Sequence, residues 1–261
     1  DVFRPLIIKT QLSRGIPLGS SLALLGLPGT GKTIFCENLV LEWLRNKAPC
    51  AFFTFDRPPE DIKDDLLNMK ADSDSPTTMN RLKVVDCYSW LIDEQPGKQI
   101  HSLASLTEVN ILVADTLAEN GEGTLLIFDS ISTLLTYHQE PSVIRFLQIV
   151  MAKIKRSKNF GVFVLEEGVH SESFYNTVRF KVDGVFEFME GEEEGIRNRF
   201  FRIHSLRSGP HDPNWIPFII GQKRKFILEK IDTNFEDLKE RMAELSEKAD
   251  SFLWGPRRIK T

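Results

Sequence analysis

Gly26-Leu27-Pro28-Gly29-Thr30-Gly31-Lys32-Thr33 satisfies the spacing G-x-x-x-x-G-K-[ST] in full. It lies between an apolar run, Leu22 to Gly26, and a helical pattern from Thr33 to Asn46. At average residue frequencies the bare spacing arises by chance in about one in a hundred chains of this length, and the strand-to-helix placement cuts that further. The residue types follow from the chemistry of holding phosphate. Glycines let backbone N–H groups turn inward around phosphate oxygens, and the helix N-terminus adds its partial positive charge. Lys32 is placed to neutralise β- and γ-phosphates, and the Thr33 hydroxyl suits Mg²⁺, a hard cation that takes only one or two protein ligands. Gly26, Pro28, Gly29, Thr30, Gly31, Lys32, Thr33 and Ile34 are the candidate phosphate-binding residues.

Working outward, short apolar runs alternate with helical patterns, as in parallel strands joined by crossover helices. Strands are predicted at Ala51–Phe55, Leu82–Asp86, Gly123–Phe128 and Gly161–Leu165. Helices are predicted from Pro58-Pro59 to about Lys70, over Leu103–Glu119 and over Pro141–Lys158. Gly123–Phe128 is continuously apolar, which places it in the middle of the sheet, covered on both faces. Beyond Asp183 the pattern becomes antiparallel hairpins: Val185–Met189, Arg199–Leu206, Ile216–Ile220 and Phe226–Glu229. Asn234–Phe252 carries Phe235, Leu238, Met242, Leu245 and Phe252 on one helical stripe, suited to packing on its own domain or on a neighbouring subunit. The fold class is therefore α/β, a twisted, largely parallel sheet flanked by helices. Residues 1–230 form one domain and 231–261 a C-terminal amphipathic helix with a basic tail.

Ligands in such sheets bind at the carboxyl ends of the strands. Asp129 ends the most apolar strand and is the second candidate magnesium ligand beside Thr33. Asp56 ends the strand Ala51–Phe55, which would neighbour the phosphate-loop strand if sequential units are adjacent. It is the candidate for orienting an attacking water, or else the N-cap of the helix opened by Pro58-Pro59. Glu166 and Glu167 form a second candidate pair for sensing a terminal phosphate.

Taken in order, Gly15-Ile-Pro-Leu-Gly19, the phosphate loop, Thr54-Phe-Asp-Arg-Pro-Pro-Glu-Asp-Ile62, Val84-Val-Asp86, Leu126-Ile-Phe-Asp-Ser130, Val182-Asp-Gly-Val185 and Leu206-Arg-Ser-Gly-Pro-His211 resemble the KaiC-like branch of the RecA-type ATPases. The resemblance spans about residues 15 to 230. It implies a homo-oligomer, usually a hexameric ring, with ATP at subunit interfaces and Mg²⁺ as its metal. Arg207 and His211 match hairpin positions that reach toward the neighbouring subunit's nucleotide, where an arginine stabilises charge on the transferring phosphoryl group; their alternative is a solvated hairpin. Three departures stand out. Asp56-Arg57 replaces the family's paired glutamates, Ser205 replaces a lysine two residues before the arginine, and no Gly-Leu-Asp stretch is recognisable upstream of Gly15. Slow turnover is the expectation, with Lys32, Asp56 and Arg207 as the catalytic candidates.

Lys+Arg total 33 against 37 Asp+Glu, a net charge of -4, so the chain does not coat nucleic acid by charge alone. No window is apolar enough to span a membrane. Cys36, Cys50 and Cys87 lack metal-ligand spacing and read as small core residues of a reducing cytoplasm. The stretch opening at Asp1 has no signal-peptide core, so export is not expected; without an initiating methionine, the chain reads as processed or trimmed. The functional expectation is a slow Mg²⁺-dependent ATPase acting as an assembly or signalling switch. Two alternatives stand: a recombinase-like ATPase binding single-stranded DNA, through a Gly168–Lys181 loop bearing Phe174, Tyr175 and Phe180, and an ATP-binding interaction protein that no longer hydrolyses.

Overall fold

Ser21–Gly26 is a strand in which every residue is buried, β3 of a computed structural model that describes residues 2–70, 77–89, 105–193 and 196–228. Before it, β1 (Val2–Phe3) pairs antiparallel with β2 (Ile16–Pro17). After it come α1 (Lys32–Arg45), β4 (Cys50–Thr54), α2 (Pro59–Met69), β5 (Leu82–Asp86), α3 (Leu106–Asn120), β6 (Leu125–Asp129), α4 (Ile131–Tyr137) and α5 (Glu140–Arg156). The chain continues through β7 (Phe160–Glu166), α6 (Glu172–Lys181), β8 (Gly184–Glu193), β9 (Ile196–Leu206), β10 (Ile216–Ile220) and β11 (Phe226–Leu228). Among the described residues, β3 to β11 form a nine-stranded sheet in the order β11-β10-β9-β8-β3-β7-β6-β4-β5. The pairs from β8 to β5 are parallel, and β9, β10 and β11 add an antiparallel edge.

Alternation along each central strand explains why apolar runs form it. Leu22, Leu24, Cys50, Phe52, Leu125, Ile127, Val162 and Val164 face the α1 side with Phe35, Leu39 and Trp43. Their neighbours Ala23, Leu25, Ala51, Phe53, Leu126, Phe128, Phe163 and Leu165 face α3, α5 and α6. With both faces covered, a polar residue inside these strands would lie in apolar surroundings without water, a cost of kcal/mol size unless it is hydrogen-bonded. The three cysteines are free and buried.

Two expectations fail here. β4 is not beside β3, because β7 and β6 lie between them; the chain crosses to β4 and then fills the gap, so sequential units are not spatial neighbours. Gly168–Lys181 is not an aromatic loop. Ser171 caps α6 by accepting from the Phe174 N–H at 3.1 Å, and Phe174 and Tyr175 are buried in the core, leaving only Phe180 exposed. Buried rings cannot stack on bases, which removes the main support for the single-strand reading. The predicted helix Asn234–Phe252, the tail to 261, Glu229 and positions 103–104 lie outside the described residues. No helix among the described residues is long and apolar enough to cross a membrane.

Candidate nucleotide site

The phosphate loop joins β3 to α1 as its sequence requires. A side-chain carbon on Gly26 would come within 2.4 Å of the Phe188 carbonyl oxygen, so only glycine allows β8 to lie this close. Gly31 caps α1 at φ +104°, a left-handed conformation in which its bare Cα faces the Phe218 ring. Phe35, in the first turns of α1, packs on Phe186, Phe188, Phe201 and Phe226 with ring centroids 5.2 to 6.1 Å apart. Asn38 donates to the Arg224 carbonyl and accepts from the Phe226 N–H. These contacts fix the helix N-terminus against the antiparallel edge.

Lys32 is 3% exposed, and its ammonium donates to Gly26 O at 2.7 Å, Leu27 O at 2.8 Å and Glu166 Oε2 at 2.8 Å. Those three bonds use all three protons of the cation. A phosphate entering the loop therefore competes with Glu166 for Lys32. Glu166 ends β7, between the phosphate-loop strand β3 and the Asp129 strand β6. Its companion Glu167 turns elsewhere, pairing with Arg179 at 3.1 Å.

Asp129 is buried at the end of β6, hydrogen-bonded by Thr33 and close enough to Asp56, Glu166 and Lys32 for their charges to matter. Burial is the main reason its carboxyl is pushed up to about 6, with Asp56 and Glu166 adding to the rise. The buried Ser130 hydroxyl next to it has no hydrogen-bond partner among the described residues. Thr33 and Asp129 thus offer two hard oxygen donors side by side, which fits Mg²⁺. Among the described residues no cluster of three or more His, Cys, Asp or Glu could cage a metal alone.

Asp56 reaches this crevice from β4 despite the changed strand order, because Thr54 pairs with Asp129 and the Phe55 N–H donates to the Asp129 carbonyl at 2.9 Å. It is exposed and accepts a hydrogen bond from Thr133. It is not the helix N-cap; Pro58 holds that position without a side-chain bond. Arg57 bonds Asp65 at 2.7 Å and approaches Glu37 at 3.6 Å, and Arg224 joins both carboxylates, Glu37 at 2.8 Å and Asp65 at 3.1 Å. The cation standing in place of a second carboxylate therefore ties α2 and the β10–β11 turn to α1.

Arg207 and His211 are at the other end of the sheet. Leu206 pairs with Gly184, which pairs with Leu22 at the start of β3, so the phosphate loop after Gly26 is roughly 13 Å further along the strands. Arg207 is exposed and donates to the Phe180 carbonyl, while His211 bridges to Leu12. Asp183 of the Asp-Gly-Val stretch is structural: its carboxylate accepts from the Ser21 N–H at 2.9 Å and its carbonyl from the Arg207 N–H at 2.8 Å.

A mostly parallel sheet with a phosphate loop after one strand and a carboxylate ending another defines a RecA-like P-loop nucleotide-binding domain. The chain belongs to the KaiC ATPase family, whose model matches residues 7–231. It is similar to a UPF0273 protein of Thermotoga maritima, 24% identical over 216 residues that cover 81% of this chain and 88% of that one. A UPF0273 protein of Methanopyrus kandleri is 26% identical over 216 residues, 80% of this chain and 84% of the relative. The circadian clock protein KaiC3 of Synechocystis is 21% identical over 219 residues, 82% of this chain but 42% of that protein.

The buried carboxyls give a pH prediction for the nucleotide-free chain. Burial raises Glu37 to about 7 against the pull of Arg224 and Arg57, and raises Glu167 to about 6, as it does Asp129. An acid that holds its proton more tightly when folded favours folding at low pH, and that contribution fades as pH climbs from the unfolded value toward the folded one. His170, lowered mainly by burial, works in the opposite direction. Glu187 is raised by burial but held down to about 2 by His204 and Arg202, so it costs stability only in stronger acid. Burial raises Glu42 as well, so four groups outweigh one, and calorimetric melting should be highest near pH 5 and fall by on the order of 5 °C by pH 8. Glu37→Gln should flatten that fall; a melting temperature that rises across this range would contradict it.

Proposed function

We propose that this chain binds Mg-ATP at Gly26–Thr33 and hydrolyses it slowly, as a nucleotide-controlled assembly or signalling switch in the cytoplasm. The observation that carries the reading is the convergence of Lys32, Thr33, Asp129, Asp56 and Glu166 on one crevice, drawn from the neighbouring strands β7, β6 and β4 and a helix N-terminus. In this reading the loop backbone and Lys32 hold the phosphates. Thr33 and Asp129 hold the magnesium ion, which neutralises charge on the phosphate oxygens. Asp56 orients the attacking water and accepts its proton, with Thr133 fixing the carboxylate.

Membership of the family and the position of Arg207 and His211, far from the phosphate loop of their own subunit, support a ring in which these residues serve the neighbour's nucleotide. The serine at 205 and the single aspartate at 56 support low turnover. Binding without hydrolysis is the reading to be separated from it. Phosphate release from wild type, Asp56→Asn and Glu166→Gln separates them. Asp56→Asn should cut release about a hundredfold or more with ATP affinity within threefold of wild type. Glu166→Gln should tighten ATP several-fold, because Lys32 is no longer held by a competing charge. Release from wild type indistinguishable from buffer would leave only the binding role.

A further inference from the structure

We propose that Arg197 is a same-chain clamp on the terminal phosphate of the bound nucleotide, an inference that rests on the reading of Gly26–Thr33 as an ATP site. Phe188 pairs with Gly26, the last residue of β3, yet β8 continues from Met189 to Glu193. The hairpin therefore projects roughly 15 Å past the strand that carries the phosphate loop, along the side where the loop opens. Its return strand places Arg197 over the loop. A carbon added to Gly29 would lie 3.4 Å from Arg197 Nη2, its one neighbour within 4 Å among the described residues outside the adjoining chain. Gly29 is itself exposed at the turn of the loop, φ +81°. Among the described residues, Arg197 of the same chain is the side chain that stands over this turn of the loop.

Arg197 is half-exposed, and both Nε, at 2.7 Å, and Nη2 donate to Glu190 Oε2. Two donors thus converge on one oxygen of a single monoanion. A polyphosphate carries more charge and offers paired oxygens that match the guanidinium fork, so it can displace Glu190 in a bidentate exchange. Glu190 stays beside the arginine and continues to aim it. Lys32 is committed at the base of the loop, so the two cations would grip the phosphate chain from inside and from outside. Arg197 stands over the turn of the loop at Gly29 and is neither a metal ligand nor the water-orienting carboxylate, so its contact with the outermost phosphate is one of binding.

The test is calorimetric titration of Mg-ATP and Mg-ADP into wild type, Arg197→Ala, Arg197→Lys and Lys32→Ala, alongside melting curves. Arg197→Ala should lose about ten- to thirtyfold in ATP affinity and less than threefold in ADP affinity, with unchanged melting because the side chain is solvated. Arg197→Lys should recover only part of the loss, since an ammonium lacks the fork. ATP affinity within twofold of wild type in Arg197→Ala overturns the proposal. So does an equal loss for ATP and ADP, which would mean that the arginine merely props the loop. A wild type that binds neither nucleotide refutes the ATP site itself, whereas wild-type binding abolished by Lys32→Ala and untouched by Arg197→Ala refutes only the clamp.

Discussion

Lys32→Ala is expected to weaken Mg-ATP binding by about a thousandfold or more, to below calorimetric detection. Two losses add. The ammonium that meets the β- and γ-phosphates disappears, and the carboxylate it neutralised is left facing the ligand. Glu166 is bonded to Lys32 at 2.8 Å, with Asp129 and Asp56 nearby, so the emptied crevice would present three acidic groups to a polyanion. Removing one partner of a buried ion pair costs about 3–5 kcal/mol when the other charge stays behind, and part of that cost appears here as repulsion. The double variant Lys32→Ala with Glu166→Ala should therefore bind ATP better than Lys32→Ala alone, although still far below wild type. A titration in which Lys32→Ala binds within tenfold of wild type would remove the phosphate loop from the proposed function.

The parts of this site that the sequence makes legible are those whose placement is local. The phosphate loop needs only the strand before it and the helix after it, and Asp129 needs only to end an apolar strand. Asp56 was legible for an incorrect reason. Adjacency of β4 to β3 does not hold, and Asp56 reaches the crevice because β4 pairs with β6. Strand order is set by long-range packing, so alternation of apolar runs does not reveal it. α6 was hidden by its brevity. Ser171 followed by Phe174 is a cap signal, and the buried set Phe174, Tyr175 and Val178 is too short to establish a helical period. Arg57 reads as a cation in a catalytic position, yet Glu37 and Asp65 claim it, and Arg224, which completes that network, enters from a distant turn. Arg197 carried no signal of its own, since its closeness to Gly29 depends on how far β8 outruns β3.

The second large effect concerns Arg207, and in the proposed ring the geometry makes it a question of which subunit the arginine serves. An extended arginine side chain spans about 7 Å, so it cannot cross the roughly 13 Å of strand that separates the end of β9 from its own phosphate loop. Arg207→Ala should therefore leave the ATP affinity of an isolated subunit unchanged. In the assembled protein it should lower phosphate release by about a thousandfold, the scale of an arginine supplied in trans. Mixing makes the assignment specific. Arg207→Ala subunits carry an intact phosphate loop, and Lys32→Ala subunits carry an intact arginine, so each variant alone should be inactive. Co-assembled, some interfaces would join a wild-type loop to a wild-type arginine, and phosphate release should return to a measurable fraction of the wild-type rate. An arginine acting in its own subunit could not produce that recovery, because no single subunit in the mixture holds both groups. If the mixture stays inactive while mass measurements show mixed assemblies, Arg207 has no role across the interface, and its bond to the Phe180 carbonyl is then its structural purpose.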